Sequence, residues 1–370
     1  MKLLIISHTE HYTQGETIVG WNPTVREIDE LATVFETVTH LAPLHYSKAP
    51  QSAMAYRAAN IHYQPLFPSG GDGFLNKLKI LFYAIPNLIK INRACKKADL
   101  IHFRAPTNLG VYTLPFLWFY RNKKQWIKYA GNWVQQKKPW SYRFQKWWIE
   151  KNFNRAIATI NGRWENQPQH IITFENPCLT QDEYTSAKKT EKNWEGKLRI
   201  CFAGALHPEK GALKIIEAIN TMEDIEQVFD KIMIAGDGKE REKLERAPCK
   251  IPIEMKGFLS KQALFNVYAQ AHVIVLPSQN EGFPKAIAEA MAFGCIPLVT
   301  NVSCIGQYVQ HSISGFLLSG NNVKELSTQL REIGRTERKA LIDISDKAKD
   351  ISGLFTYEHY ISKIKTIFEF

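Results

Sequence analysis

The sequence predicts an α/β protein built from two open, Rossmann-like parallel-sheet domains. A length of 370 residues exceeds what one ordinary core holds and suits two. Short apolar runs alternate with segments of helical period along the whole chain. A polar, charged stretch at residues 180–196 interrupts that alternation and divides it into two series.

The first series opens with an apolar strand at 3–7, a polar loop containing Gly15 and Gly20, and a helix at 25–35 that lines up Ile28, Leu31, Ala32 and Phe35. A second strand follows at 38–41. Residues 68–73 (Pro-Ser-Gly-Gly-Asp-Gly) have the composition of a loop, and a basic, apolar helix runs from 74 to about 97. Further strands are expected at 100–103, 126–129, 156–160 and 171–173. Asn176-Pro177 closes the series. The second has strands at 198–203, 231–235, 253–256, 273–276 and 296–299, with helices at 211–219, 239–246, 261–269 and 285–293 between them. The chain ends in an amphipathic helix, 357–370, with Tyr360, Ile361, Ile364 and Phe368 on one side. Domains are expected over residues 1–180 and 197–355, with the terminal segment 356–370 crossing back to the first.

The six cysteines (Cys95, Cys178, Cys201, Cys249, Cys295, Cys304) include no close pair, which argues against a zinc ribbon or a disulfide framework and for a reducing cytoplasm. The apolar start is too short for a signal peptide and reads as a buried strand. No run of eighteen apolar residues suggests a spanning helix. The net charge of +11 lies wholly in the first half, and residues 51–150 hold 16 Lys and Arg against 3 Asp and Glu. Such an excess calls for an anionic partner: nucleic acid, a membrane surface or a phosphorylated substrate.

Chemistry concentrates in the second half. The strand at 198–203 runs through Gly204 into a loop ending Lys210-Gly211 at a helix start, where free backbone N–H groups and a lysine suit a diphosphate; a solvated first-turn lysine is the competing reading. Gly236-Asp-Gly238 is either a phosphate turn or a tight strand-to-helix turn, since Arg241 stands where a dinucleotide fingerprint needs its third glycine. Most specific is the stretch 276–297. A strand ends at Leu276, a loop presents Glu281 and Gly282, and Pro284 suits the first turn of a helix that carries Glu289 on an otherwise apolar face. A carboxylate there is costly unless paired or hydrogen-bonded.

Glu281-x7-Glu289, preceded by Leu-Pro-Ser and followed by Glu-Ala-Met-Ala-x-Gly-x-Ile-Pro, resembles the signature of family 4 of the retaining glycosyltransferases, which have the two-domain GT-B architecture. The segments 202–211, 234–238, 257–260 and 315–318 fall in that family's order. The resemblance is strong over 198–370 and weaker before. It implies a nucleoside diphosphate sugar donor, UDP-sugar favoured and GDP-sugar possible, and transfer with retained configuration to a saccharide or lipid-linked saccharide, as in surface polysaccharide or glycan biosynthesis. Lys210 would hold the diphosphate, Glu281 the donor sugar and Glu289 the ribose. Backbone N–H groups from Phe283 to Lys285, a stretch that contains Pro284, would complete the phosphate cradle beside Gly204 and Gly236. Gly257, Phe258 and Leu259 would flank the base, and Gly15 or Gly20 would let the first domain's backbone approach the phosphates across a cleft. No metal or other cofactor is expected.

Two positions depart from the family pattern. Ala205 stands where an arginine is common, leaving Lys285, Arg104 or His207 to replace its charge. The stretch 128–133 lacks a family histidine, for which Asn132 would substitute, while His102 and Arg104 are weaker candidates on the acceptor side. Residues 118–151 interleave eleven aromatic rings from Trp118 to Trp148 with nine basic side chains. They suit an anionic membrane met through residues 74–150 on its inner, cytoplasmic face; single-stranded nucleic acid or plain core aromatics are the alternatives, and no nucleic acid is expected. The rivals for function are a nucleotide-sugar epimerase or sugar phosphorylase on the same architecture, and a non-catalytic nucleotide-sugar-binding subunit.

Overall fold

The computed structural model describes residues 1–68, 74–135 and 138–369. It divides into two compact units, Met1–Phe174 with Ile364–Phe370, and Glu175–Lys363. Residues 69–73 of the glycine-rich stretch lie outside the described residues.

The first unit runs β1 (Lys2–Ile6), β2 (His11–Gln14), β3 (Thr17–Trp21), α1 (Asn22–Ala32), β4 (Thr37–His45), β5 (Ala53–Ala55), β6 (Ile61–Leu66), α2 (Phe74–Lys97), β7 (Leu100–Ala105), α3 (Gly110–Leu117), β8 (Lys124–Tyr129), α4 (Trp140–Glu150), β9 (Ile157–Ile160) and β10 (Ile171–Thr173). The sheet order is β10-β9-β8-β7-β1-β4-β2-β3-β5, with β6 also on β4. β1 is central and pairs in parallel with β4 and β7. Leu3 to Ile6 are all buried, as expected of a parallel strand covered on both faces.

The expected polar loop around Gly15 and Gly20 is instead an antiparallel hairpin of β2 and β3. Thr17-Ile18-Val19 supplies the β-branched residues that favour a strand, and Gly15, at φ 62°, supplies the positive φ of its two-residue turn. Gly20 lies inside β3 because a Cβ there would sit 2.5 Å from His11 Nε2.

The polar interior of this unit closes on itself. The Thr9 N–H donates to Ser7 Oγ (3.2 Å), the Ser7 hydroxyl to His40 Nε2 (2.8 Å) and His40 Nδ1–H to the Tyr56 oxygen (2.6 Å). Tyr56 then donates to His11 Nε2 (2.6 Å), and His11 Nδ1–H returns to the Thr9 carbonyl (2.8 Å). The carbonyl at the end fixes every tautomer, and both imidazoles must be neutral for the ring to close.

The second unit runs α5 (Gln181–Lys188), β11 (Leu198–Ala203), α6 (Ala212–Asn220), α7 (Ile225–Val228), β12 (Phe229–Ala235), α8 (Arg241–Arg246), β13 (Ile253–Gly257), α9 (Lys261–Gln270), β14 (Val273–Leu276), α10 (Lys285–Ala292), β15 (Ile296–Thr300), α11 (Ile305–Tyr308), β16 (Phe316–Leu318), α12 (Val323–Arg335) and α13 (Arg338–Ser352). The last helix, α14 (Tyr357–Phe368), starts in this unit, and from Ile364 its residues group with the first. All six strands are parallel, in the order β13-β12-β11-β14-β15-β16. The presumed linker, 180–196, contains the helix α5. Thr180 accepts from the Glu183 N–H (3.1 Å) while the Glu183 carboxylate accepts from the Thr180 N–H (2.9 Å), a capping box that starts a helix in an otherwise polar sequence.

Burial holds His11 and His272 down at about 4, and pushes His40 and His102 well below the ordinary histidine value. These folded values lie below the unfolded one, so the neutral imidazoles contribute full stability above roughly pH 6.5 and lose it as the pH falls toward 4. Each should forfeit about 1.4 kcal/mol per pH unit in that window. Calorimetric melting should therefore show a midpoint that drops steadily from pH 7.5 to pH 5; an unchanged or higher midpoint at pH 5 would contradict the buried neutral assignment.

Candidate functional site

In the second unit, β12 and β13 extend the sheet to one side of β11, after which the chain crosses to β14 on the other. The direction of winding thus reverses between β11 and β14. Loops that leave the carboxyl ends of two such strands diverge and form a crevice, where open α/β sheets take their ligands. The loop after β11 carries Lys210, and the loop after β14 carries Glu281.

These two loops are fastened together. Pro208–Lys210 forms a short 3₁₀ turn, and Gly211, at φ 78°, begins α6. A Cβ on Gly211 would stand 2.9 Å from the Pro277 ring and 3.0 Å from its carbonyl oxygen, so only glycine allows this approach. The Gln279 N–H donates to the Glu209 carbonyl (2.9 Å). The Lys210 ammonium then donates to Glu281 Oε1, with side chains 30% and 11% exposed. Lys210 is thus a partly sheltered cation held against a carboxylate, ready to share its remaining N–H groups with an anion.

Gly236-Asp-Gly238 holds the other flank. The Gly204 N–H bonds the Ala235 carbonyl (3.0 Å), and the Leu206 N–H bonds the Asp237 carbonyl (2.9 Å). A Cβ on Gly236 would lie 1.8 Å from the Gly204 oxygen, and one on Gly238 2.5 Å from the Leu206 oxygen. The two glycines are there because the loop after β11 crosses their backbone. Gly236 N–H also reaches the Gly257 carbonyl (2.8 Å) at the end of β13, beside the exposed Phe258 ring and half-buried Leu259.

On the loop after β14, Gly282 is held through its carbonyl by the Cys304 thiol (3.5 Å). Phe283 is an anchor: its ring stacks on Phe355 with centroids 4.4 Å apart and meets Tyr308 edge-on at 5.1 Å. Pro284 caps α10 and has no N–H, so within 283–285 only Phe283 and Lys285 can donate from the backbone. Glu289, half-buried on α10, bears on the fully buried Cys178 and Tyr268. Burial pushes both groups up, and the Glu289 carboxylate adds to each.

The first-unit candidates fare differently. His102 is wholly buried, stacked on Trp126 with centroids 3.7 Å apart, and its Nδ1–H donates to the Trp126 carbonyl (3.3 Å); it lies inside the sheet and is not an acceptor-side ligand. Arg104 is bidentate to the buried Glu27 of α1 (2.7 and 3.2 Å), which also receives Lys128 (2.7 Å). Sequence reading missed this triad because its members sit 77 and 101 residues apart. Gly15 and Gly20 belong to the hairpin described above, and Asn132 accepts the Val134 N–H (3.0 Å) in the turn after β8. Among the described residues no group of three His, Cys, Asp or Glu side chains gathers as a metal site.

The family model described as glycosyl transferases group 1 matches residues 184–350. An uncharacterized glycosyltransferase of Methanocaldococcus jannaschii is 30% identical over 45% of this chain and 47% of its own. A GDP-mannose-dependent alpha-(1-6)-phosphatidylinositol dimannoside mannosyltransferase of Mycobacterium tuberculosis is 30% identical over 33% of this chain and 32% of its own. The chain spans about half the length, or less, of such curated relatives. Among solved structures, Anabaena HepE in complex with UDP and glucose matches at a TM-score of 0.70 with 14% identity, over 100% of this chain and 99% of that one. Sucrose-phosphate synthase of Thermosynechococcus elongatus matches equally, over 100% and 98%. The fold is GT-B: two α/β units whose sheets are parallel apart from the hairpin of β2 and β3 and its pairing with β5.

The Gly236 contact is directly testable. Gly236→Ala drives a methyl into the Gly204 carbonyl and should cost about 3 kcal/mol of stability, as backbone clashes at special conformations do. Chemical denaturation of the variant measures it, and a loss under about 0.5 kcal/mol, the range of an ordinary surface change, would refute the close approach.

Proposed function

We propose that the protein is a retaining glycosyltransferase that moves a hexose from a nucleoside diphosphate sugar to a hydroxyl of a saccharide or lipid-linked saccharide. The observation that supports this most is the Lys210–Glu281 pair at the carboxyl ends of β11 and β14, where the sheet reverses its winding. The family match over the same unit, and a UDP-bound structural relative, agree with it. UDP is the favoured nucleotide and GDP the alternative, the latter named in a mycobacterial relative.

On this reading the diphosphate enters beside Lys210, whose ammonium neutralises the charge that develops as the bond from the anomeric carbon to the phosphate oxygen breaks. The Phe283 and Lys285 N–H groups at the start of α10 face the same anion. Glu281 accepts from hydroxyls of the sugar, and Glu289 from those of the ribose. The acceptor oxygen bonds the anomeric carbon on the face the diphosphate leaves, and its proton passes to a diphosphate oxygen. No metal is required.

Thermal stabilisation by nucleoside diphosphates tests the donor site, because a ligand that binds the folded state alone raises the melting temperature. UDP or UDP-sugars should raise it by several degrees, with transfer persisting in EDTA. Glu281→Ala and Lys210→Ala should lose at least about a hundredfold in transfer rate, the scale of removing one charged transition-state contact, while melting cooperatively. No response to any nucleotide, or full transfer by either variant, would end the proposal.

We further propose peripheral contact with an anionic bilayer through the helices of the first unit. Three successive parallel crossovers lay α2, α3 and α4 on one face of the sheet. These helices and the 3₁₀ turn that follows α3 expose Phe82 (75%), Ile85 (70%), Phe119 (74%) and Trp140 (68%), in the part of the chain with 16 basic and 3 acidic residues. Large exposed rings amid cations suit a headgroup layer of negative charge. The protein should sediment with phosphatidylglycerol vesicles more than with phosphatidylcholine ones, and Phe82→Ser with Phe119→Ser should release it. Equal binding to both vesicles, or none, would refute the contact.

A further inference from the structure

We propose that Lys138 and Lys146, gathered at the carboxyl end of β8, form an oxyanion site that takes a phosphate or carboxylate group of the acceptor. This deepens the transferase reading and rests on it for the word acceptor, though the anion site stands on its own geometry.

Residues 130–133, directly after β8, are fastened to their neighbours. The Ala130 N–H bonds the Ala105 carbonyl (2.9 Å), and the Ala130 carbonyl accepts from the Asn161 side-chain amide (2.9 Å). Gly131 rests on Pro106, where a Cβ would stand at 3.2 Å. Trp133 is buried with its ring edge-on to Tyr129 at 5.0 Å. Its carbonyl is therefore a fixed point, and two ammonium groups converge on it: Lys138 at 2.5 Å and Lys146 at 3.2 Å. The same nitrogens sit over aromatic faces, Lys138 at 5.5 Å from the Tyr129 centroid and Lys146 at 4.9 Å from that of Trp133.

Two like charges held within about 6 Å of each other repel, and a structure keeps them so only where something compensates. Glu150, 3.6 Å from Lys146, supplies one negative charge against two positive ones. Burial, then the Lys146 charge, lowers Lys138 to about 8. An oxyanion would reverse both costs. Each ammonium spends one N–H on the Trp133 carbonyl and has others to offer. The carboxyl edge of a parallel sheet is also where ligands of such folds bind, and β8 is two strands from the central β1.

The test uses the full chain saturated with UDP, so that the donor site is occupied, at constant ionic strength set with chloride. Inorganic phosphate, glucuronate, short-chain phosphatidylglycerol and glucose are titrated against thermal stability. Phosphate or glucuronate should stabilise the wild type where glucose does not, and Lys138→Gln with Lys146→Gln should weaken that response at least about tenfold, as loss of charge-assisted hydrogen bonds does. The UDP shift should be unchanged in that variant, and Lys138→Arg with Lys146→Arg should keep the anion response. Tighter binding of phosphatidylglycerol than of phosphate supports a lipid-borne acceptor, and tighter glucuronate an acidic sugar. Equal anion responses in wild type and glutamine variant, or none in the wild type, overturn the site. A missing UDP shift with a retained anion response would instead fail the transferase reading alone.

Discussion

The second unit depends on one constraint: the backbone of residues 204–211 is wedged between the loops that follow β12 and β14. Gly236 and Gly238 remove side chains on one side, and Gly211 yields to Pro277 on the other. With no Cβ in the way, carbonyls and N–H groups meet directly, and the Gly204, Leu206 and Gln279 amides bind across the gaps. Lys210 and Glu281 meet because those backbones do. The ion pair is thus a product of the packing beneath it, and its geometry is only as good as three glycines make it.

The first unit solves a different problem. Its sheet buries charge and imidazole in quantity, and each group costs free energy unless fully partnered. Glu27 answers Arg104 and Lys128 together, so removing the carboxylate would strand two cations, a far larger loss than the pairs themselves contribute. The ring from Thr9 through Ser7, His40, Tyr56 and His11 satisfies each donor with one acceptor and ties the end of β1 to β4 and the hairpin. Both networks serve the fold.

How much was legible follows from the range of each interaction. Strands such as β11, β14 and β10 were read to the residue, because a buried parallel strand is a local apolar run between local turn signals. The hairpin of β2 and β3 was read as a loop, since its outer residues are polar and its pairing to β4 and β5 is decided elsewhere in the chain. α5 reads as linker because its composition lacks an apolar face, and its cap, Thr180 with Glu183, makes it a helix all the same.

By itself the sequence determined the α/β class, the two-part division and the neighbourhood of Glu281 and Glu289, all carried by patterns within some twenty residues. Tertiary structure alone decided what each charged side chain faces. Arg104 and Lys210 are both cations toward the carboxyl end of a buried strand, Arg104 inside β7 and Lys210 in the loop after β11. One meets a buried carboxylate on α1 and is consumed by the fold, while the other meets Glu281 at the open carboxyl edge of its sheet and keeps contact with solvent. That difference rests on partners 77 and 71 residues away, and electrostatics depends on distance in space, which local pattern does not encode.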